Sequence, residues 1–168
     1  MTDKITEDIK VTIDLDTEVV ELNEANQAAL NIVHEYKTLS FNAGPTNIIT
    51  PNENIQLREV SIHPAVGRDR VFDYPERLRV DIEYERLAHL HFVDPSMAAK
   101  GIPQWKCTSK YAAVYSGFLV TPNHIHILVH DLLTAENGIA DAHEYYTPDD
   151  VETYLFYAKE FREAYKPD

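Results

Sequence analysis

Tyr111-Ala-Ala-Val-Tyr-Ser-Gly-Phe-Leu-Val120, Thr121-Pro-Asn123 and His124-Ile-His-Ile-Leu-Val-His130 form the stretch that decides the fold. The first run is rich in strand formers, with Gly117 as a candidate bulge. The last run alternates apolar and polar residues, and the three residues between have hairpin length. Moving toward the amino end, Leu87-Ala-His-Leu-His-Phe-Val93 alternates in the same way and stops before Pro95. Ile9-Lys-Val-Thr-Ile-Asp-Leu15 reads as a further half-buried strand. Between these strands, Ala25, Ala28, Ala29, Ile32, Val33 and Tyr36 recur at three and four, predicting a helix over 23–39.

At the carboxyl end, Thr147 is suited to an N-cap, Pro148 to the first helical position, and Asp149 and Asp150 to the positive end of the dipole. The stripe Val151, Leu155, Ala158, Phe161, Tyr165 would dock on the sheet, and Pro167 would stop the helix. Residues 40–66 contain Pro45, Pro51 and Pro64 and predict a long loop, with a short strand near Ile55 to Ile62. The fold expected is α+β: a small antiparallel β-sheet, with the N-terminal and C-terminal helices packed on one face, in a single domain over 1–168.

The chain of 168 residues, 44% apolar, suits one substantial core. Its only cysteine, Cys107, cannot form an internal disulfide, and MTDKITEDIK is too charged for a signal peptide. No apolar run approaches the roughly 20 residues of a membrane span, so a cytoplasmic protein is expected. The net charge of −13 opposes binding to phosphates, yet it is unevenly spread. Residues 1–57 and 131–168 each hold ten acids against three bases, while 58–130 hold eight against nine. Six of the seven arginines lie between Arg58 and Arg86. Solubility explains each charge singly; the blocks leave room for a local phosphate-facing patch.

Eight histidines are the main chemical material. On a strand, His124, His126 and His130 would share a face, which could present an open Zn²⁺ or Fe²⁺ site. His130, however, lies roughly 13 Å beyond His126 at ~3.3 Å per residue, too far to share one ion. His89 and His91 also share a face, close in sequence to Arg86, Arg68, Lys106 and Lys110. Metal-free RNA cleavage needs a base for the 2′-hydroxyl, an acid for the leaving oxygen, and cations for the charge growing on phosphorus. Histidine and arginine supply these, although pairing of the arginines with Asp81, Glu83 and Glu85 is the simpler reading. Glycine-rich phosphate loops and a nucleophile elbow are absent from the sequence.

Gly67-Arg68-Asp69, Glu85-Arg86-Leu-Ala-His89-Leu-His91, Gln104-Trp105, Thr108-Ser109, Val114-Tyr115 and Asp141-Ala-His143-Glu144 occur in that order. With Tyr36-Lys37 and the helix from Ala158 to Arg162, this series resembles the YafO family of bacterial mRNA interferase toxins, which are RelE-like. The 40–66 region looks like an insertion. The resemblance implies a type II toxin that cleaves mRNA on the ribosome, uses no metal or organic cofactor, and is silenced by a cognate antitoxin. The resemblance supplies positions, and side-chain chemistry gives them roles: phosphate grip at Arg86 and Arg68, proton transfer at His89, His91 or His143, with Lys110 as a further candidate. Two alternatives stay open: a catalytically reduced acidic module that binds a basic protein or mimics nucleic acid, and a metal enzyme centred on His124 and His126.

Overall fold

The computed structural model describes residues 9–44 and 50–165. In chain order the elements are β1 (Lys10–Leu15), α1 (Glu24–Ala43), α2 (Glu53–Arg58), β2 (Val66–Val71), α3 (Arg79–Glu85), β3 (Ala88–Phe92), α4 (Ser96–Ala99), β4 (Ala112–Thr121), β5 (His124–Leu133) and α5 (Pro148–Ala164). The predicted hairpin forms: β4 and β5 are antiparallel, and Thr121 lies opposite His124 across the turn. Its ladder slips between Val114 and Tyr115 rather than at Gly117, which pairs regularly with Ile127.

The sheet has five strands in the order β1-β5-β4-β3-β2. It is mixed, not antiparallel throughout, because β1 lies parallel to β5 with Lys10 opposite His124 and Leu15 opposite Val129. The helices do not share one face. Val33, Tyr36 and Phe41 of α1 pack with Ala113, Tyr115, Ile125, Ile127 and Val129. Val151, Tyr154 and Leu155 of α5 pack with Ala112, Val114 and Leu133. Successive residues of β4 thus enter different cores, and Ala112 to Tyr115 are all 0% exposed. A strand buried on both faces reads as a continuous apolar run, which Tyr111 to Val120 largely is.

The helix ends follow the sequence. The Asn23 side chain accepts from the Asn26 amide at 2.9 Å, capping α1. Thr147 and Asp150 form a reciprocal capping box at α5. Pro167 lies outside the described residues. The strand expected near Ile55 to Ile62 is instead α2, because Asn52 caps it by accepting from the Asn54 amide at 2.8 Å. Gln56 then donates to the Pro51 and Asp69 carbonyls, both at 2.8 Å. The described part of 40–66 is therefore tied into the core; Pro45 to Ile49 lie outside the described residues. No helix among the described residues is long and apolar enough to cross a membrane.

Gly67 lets β2 approach the Gln104–Lys106 turn, where Arg68 N donates to Cys107 O at 2.8 Å. A Cβ at Gly67 would lie 2.1 Å from Cys107 O and 2.8 Å from Val93 Cγ1. Backbone cannot yield as a side-chain tip can, so Gly67→Ala is expected to cost about 1–3 kcal/mol or more, the overpacking range. Urea denaturation measures it; an unchanged midpoint would contradict the packing.

Candidate active site

On β3, Ala88 and Leu90 enter the α1 core, and the alternation sends His89 and His91 to the opposite face. There the His89 ring centroid lies 4.6 Å from Phe72, 4.8 Å from Tyr146 and 5.7 Å from His91. His143 arrives from a 3₁₀ turn, Ala142–Tyr145, and its ring sits 6.0 Å from His91. The turn is pinned beside the start of β4 by the Ala142 amide, which donates to Lys110 O at 2.7 Å. Asp141 caps the turn and lies 2.8 Å from His143 Nδ1. Hydrogen bonds from the His143 backbone and ring hold the Asp141 carboxyl below the usual range, with a smaller contribution from the Lys110 charge.

β2 brings the cations. The Arg68 Nε donates to Trp105 O at 2.7 Å, and its guanidinium lies 4.7 Å from the Trp105 ring centroid. Arg70 lies 5.7 Å from the same ring and pairs with Asp73. With the Arg68 Nε committed, its two Nη groups remain for a phosphate.

The three histidines differ in exposure. His91 is 2% exposed, whereas the His143 side chain is 60% exposed. Burial, then the charges of His91, Arg70, His143 and Arg68, pushes His89 down to about 3. Burial is also the main cause that lowers His91 to about 4, opposed by its bond to Ser109. His91 Nδ1 lies 3.0 Å from both the carbonyl and the amide of Ser109. Either tautomer is therefore held at Nδ1, and Nε2 is the nitrogen left for chemistry.

Of the residues singled out from sequence, His89, His91, His143 and Arg68 converge, and Lys110 sits behind the His143 turn. Arg86 does not join them through any described interaction. It caps α3 in the left-handed region at φ 56°, with a buried Nη1 that has no hydrogen-bond partner. Arg70 was missed, although it lies two residues beyond Arg68 on one strand face. Gly67 and Asp69 interrupt the apolar pattern that would have revealed β2.

Other quoted motifs meet elsewhere, on the α1 side. Lys37, 0% exposed, donates to Asp69 and to the Tyr115 hydroxyl, both at 2.5 Å. Tyr36 donates to Asp69 at 3.0 Å, Tyr115 donates to its other oxygen, and Gln104 donates to Tyr36 at 2.8 Å. This network fixes the backbone between Arg68 and Arg70 from the opposite side of the sheet.

His124, His126 and His130 share the α5 face as expected, but their partners are Thr12, Asp14 and Ser116. Among the described residues no group of three or more His, Cys, Asp or Glu side chains is placed to hold a metal ion. Cys107 is buried, its thiol pushed up by desolvation, which disfavours a thiolate nucleophile. No family model, curated protein or solved structure matches the chain.

The depressed histidines make a pH prediction. His89, His91 and His130, each lowered to about 3 or 4, stay neutral when folded while the unfolded chain protonates near 6.5. Stability should therefore fall as pH drops from about 6.5 toward 4. Asp131, raised to about 6 mainly by burial, acts in the opposite direction but is a single group. Urea melts across this range test the sign; stability that rises on acidification would contradict it.

Proposed function

We propose that this chain is a metal-independent endoribonuclease whose nucleophile is the 2′-hydroxyl of its own substrate. Within that class, the reading is a ribosome-dependent mRNA interferase, the toxin of a type II toxin–antitoxin pair, working in the cytoplasm and silenced by a cognate antitoxin. One observation carries it: three histidine rings in a chain of 5.7 and 6.0 Å contacts share an edge of the sheet with Arg68 and Arg70. The residue series that resembles the YafO family supplies the narrower reading.

His91 Nε2 takes the 2′-hydroxyl proton, and the 2′-oxygen attacks the neighbouring phosphorus. Arg68 and Arg70 face the non-bridging oxygens and stabilise the charge that develops there. The bond to the 5′-oxygen breaks, and that oxygen takes a proton from His143, whose ring Asp141 orients through Nδ1 at 2.8 Å. The products are a 2′,3′-cyclic phosphate and a free 5′-hydroxyl, so atoms and charge balance without a co-reactant. A bound phosphodiester also opposes the desolvation that depresses His91 and raises its basicity. The −13 net charge restricts phosphate to this patch and leaves binding to the rest of the surface unfavourable.

Primer extension on a translated message, followed by end-group analysis, tests the reading. Cleavage leaving cyclic phosphate ends is expected. A message left intact by antitoxin-free protein on active ribosomes would overturn it and favour the acidic binding module.

A further inference from the structure

On the same helix-covered face, at the β5 and β1 side of the sheet, lies a second cleft of about 190 Å³. Its walls include Tyr145, Tyr154 and Tyr157, and its floor His130 and Asp131. Asp16 and Asp150 also line it, giving three carboxylates and no cationic side chain among its lining residues.

One buried nitrogen there has no partner, and it sits beside a half-buried carboxylate. His130 is 1% exposed, its Nε2 lies 2.8 Å from Ser116 Oγ, and its Nδ1 has no hydrogen-bond partner. In the tautomer whose Nε2–H donates to Ser116, that Nδ1 presents a lone pair. The half-buried Asp131 carboxylate takes a backbone hydrogen bond from Leu132, and the Tyr154 hydroxyl reaches it at 3.5 Å, the far limit of a hydrogen bond, so it can accept further donors. By contrast, Asp150 is engaged by Thr147 and Asp16 by the Glu18 amide. A buried nitrogen without a partner, beside a carboxylate with accepting capacity to spare, calls for a ligand that brings donors to both.

We propose that this cleft binds a guanidinium group, as carried by an arginine side chain or a small guanidino compound. The charge selects a cation, because three carboxylates repel a phosphate or a carboxylate ligand. The geometry selects an organic one, since no described cluster of His, Cys, Asp or Glu is placed to hold a metal. A planar guanidinium has five N–H donors, enough to serve Asp131 and His130 Nδ1 together, and its faces stack on tyrosine rings. A lysine ammonium lacks both the fork and the plane.

Burial raises Asp131 to about 6, with Tyr154 and Asp150 facing it from α5, Asp16 from the turn after β1, and His130 beside it. Binding should therefore weaken as pH falls through that value. The inference is independent of RNA cleavage and survives its failure.

The test is two-dimensional NMR of the ¹⁵N-labelled full chain titrated with Nα-acetyl-arginine methylamide, its lysine counterpart and a short arginine-containing peptide. Saturable shifts at His130, Asp131 and Tyr154 are expected for the arginine compounds. Asp131→Asn should weaken them roughly ten- to a hundredfold, the loss of one charge-assisted hydrogen bond. Tyr157→Ala, at an exposed position, should weaken them as well and guards against a folding defect in the first variant. Tighter binding of the peptide identifies a protein partner; equal binding identifies a small guanidino ligand. No saturable shift, shifts that both variants retain, or equal binding of the lysine compound would overturn the proposal.

Discussion

Asp69→Ala is expected to lower the unfolding free energy by about 3–5 kcal/mol, the cost of stranding one charge of a buried pair. Lys37 is wholly buried, and burial already pushes its ammonium below the usual lysine range against the pull of Asp69. Without the carboxylate, Lys37 keeps the Tyr115 hydroxyl but loses its counter-charge, and Tyr36 and Tyr115 lose an acceptor. Such a loss is a large share of the roughly 5–15 kcal/mol that holds a domain folded. A companion double substitution, Lys37→Met with Asp69→Leu, removes both charges and should cost far less than the sum of the single changes. Urea unfolding of the set measures the coupling; additive effects would show that the pair does not act as a unit. Because Asp69 lies between Arg68 and Arg70, the single substitution should also loosen the cationic patch.

The second large effect concerns cleavage. Arg68→Ala should slow it about 10²–10³-fold, the usual consequence of removing one group that stabilises transition-state charge. His91→Gln and His143→Gln should each cost roughly 10²–10⁴-fold through loss of a proton-transfer group. His143 is mostly exposed, so its variant should fold normally and report on chemistry alone. Arg86→Ala is the comparator and should leave the rate unchanged, because the charges acting on His89 are His91, Arg70, His143 and Arg68. A loss of activity in Arg86→Ala equal to that in Arg68→Ala would move the phosphate site toward the α3 cap.

The sequence exposed these features unevenly, for physical reasons. Alternation in 87–93 and 124–130 and the end signals of α5 were legible because each rests on local periodicity or capping. Parallel pairing of β1 was not, since a period of two assigns faces and says nothing about strand direction. β2 and α2 were hidden for a related reason. Asp69 and Gln56 are buried polar residues satisfied by partners distant in the chain, so neither segment shows an apolar pattern. At the site, the shared face of His89 and His91 followed from spacing, and His143 came from the family resemblance alone. The place of Arg70 beside Trp105, and the packing of His89 against Phe72 and Tyr146, could be seen only once the fold had brought these residues together. The short motifs that carry the family resemblance also divide in space: Tyr36, Lys37, Asp69, Gln104 and Tyr115 form a buried frame on the α1 side, across the sheet from the histidines.

The most direct test of the central claim uses a message carrying a single 2′-deoxyribose on the 5′ side of a mapped cut, presented on active ribosomes to antitoxin-free protein. Attack by the substrate's own 2′-oxygen predicts that cleavage disappears at that linkage and continues at unmodified sites in the same message. Cleavage that proceeds at the deoxy linkage would show that the nucleophile comes from elsewhere, and would contradict the roles given to His91, His143 and the two arginines.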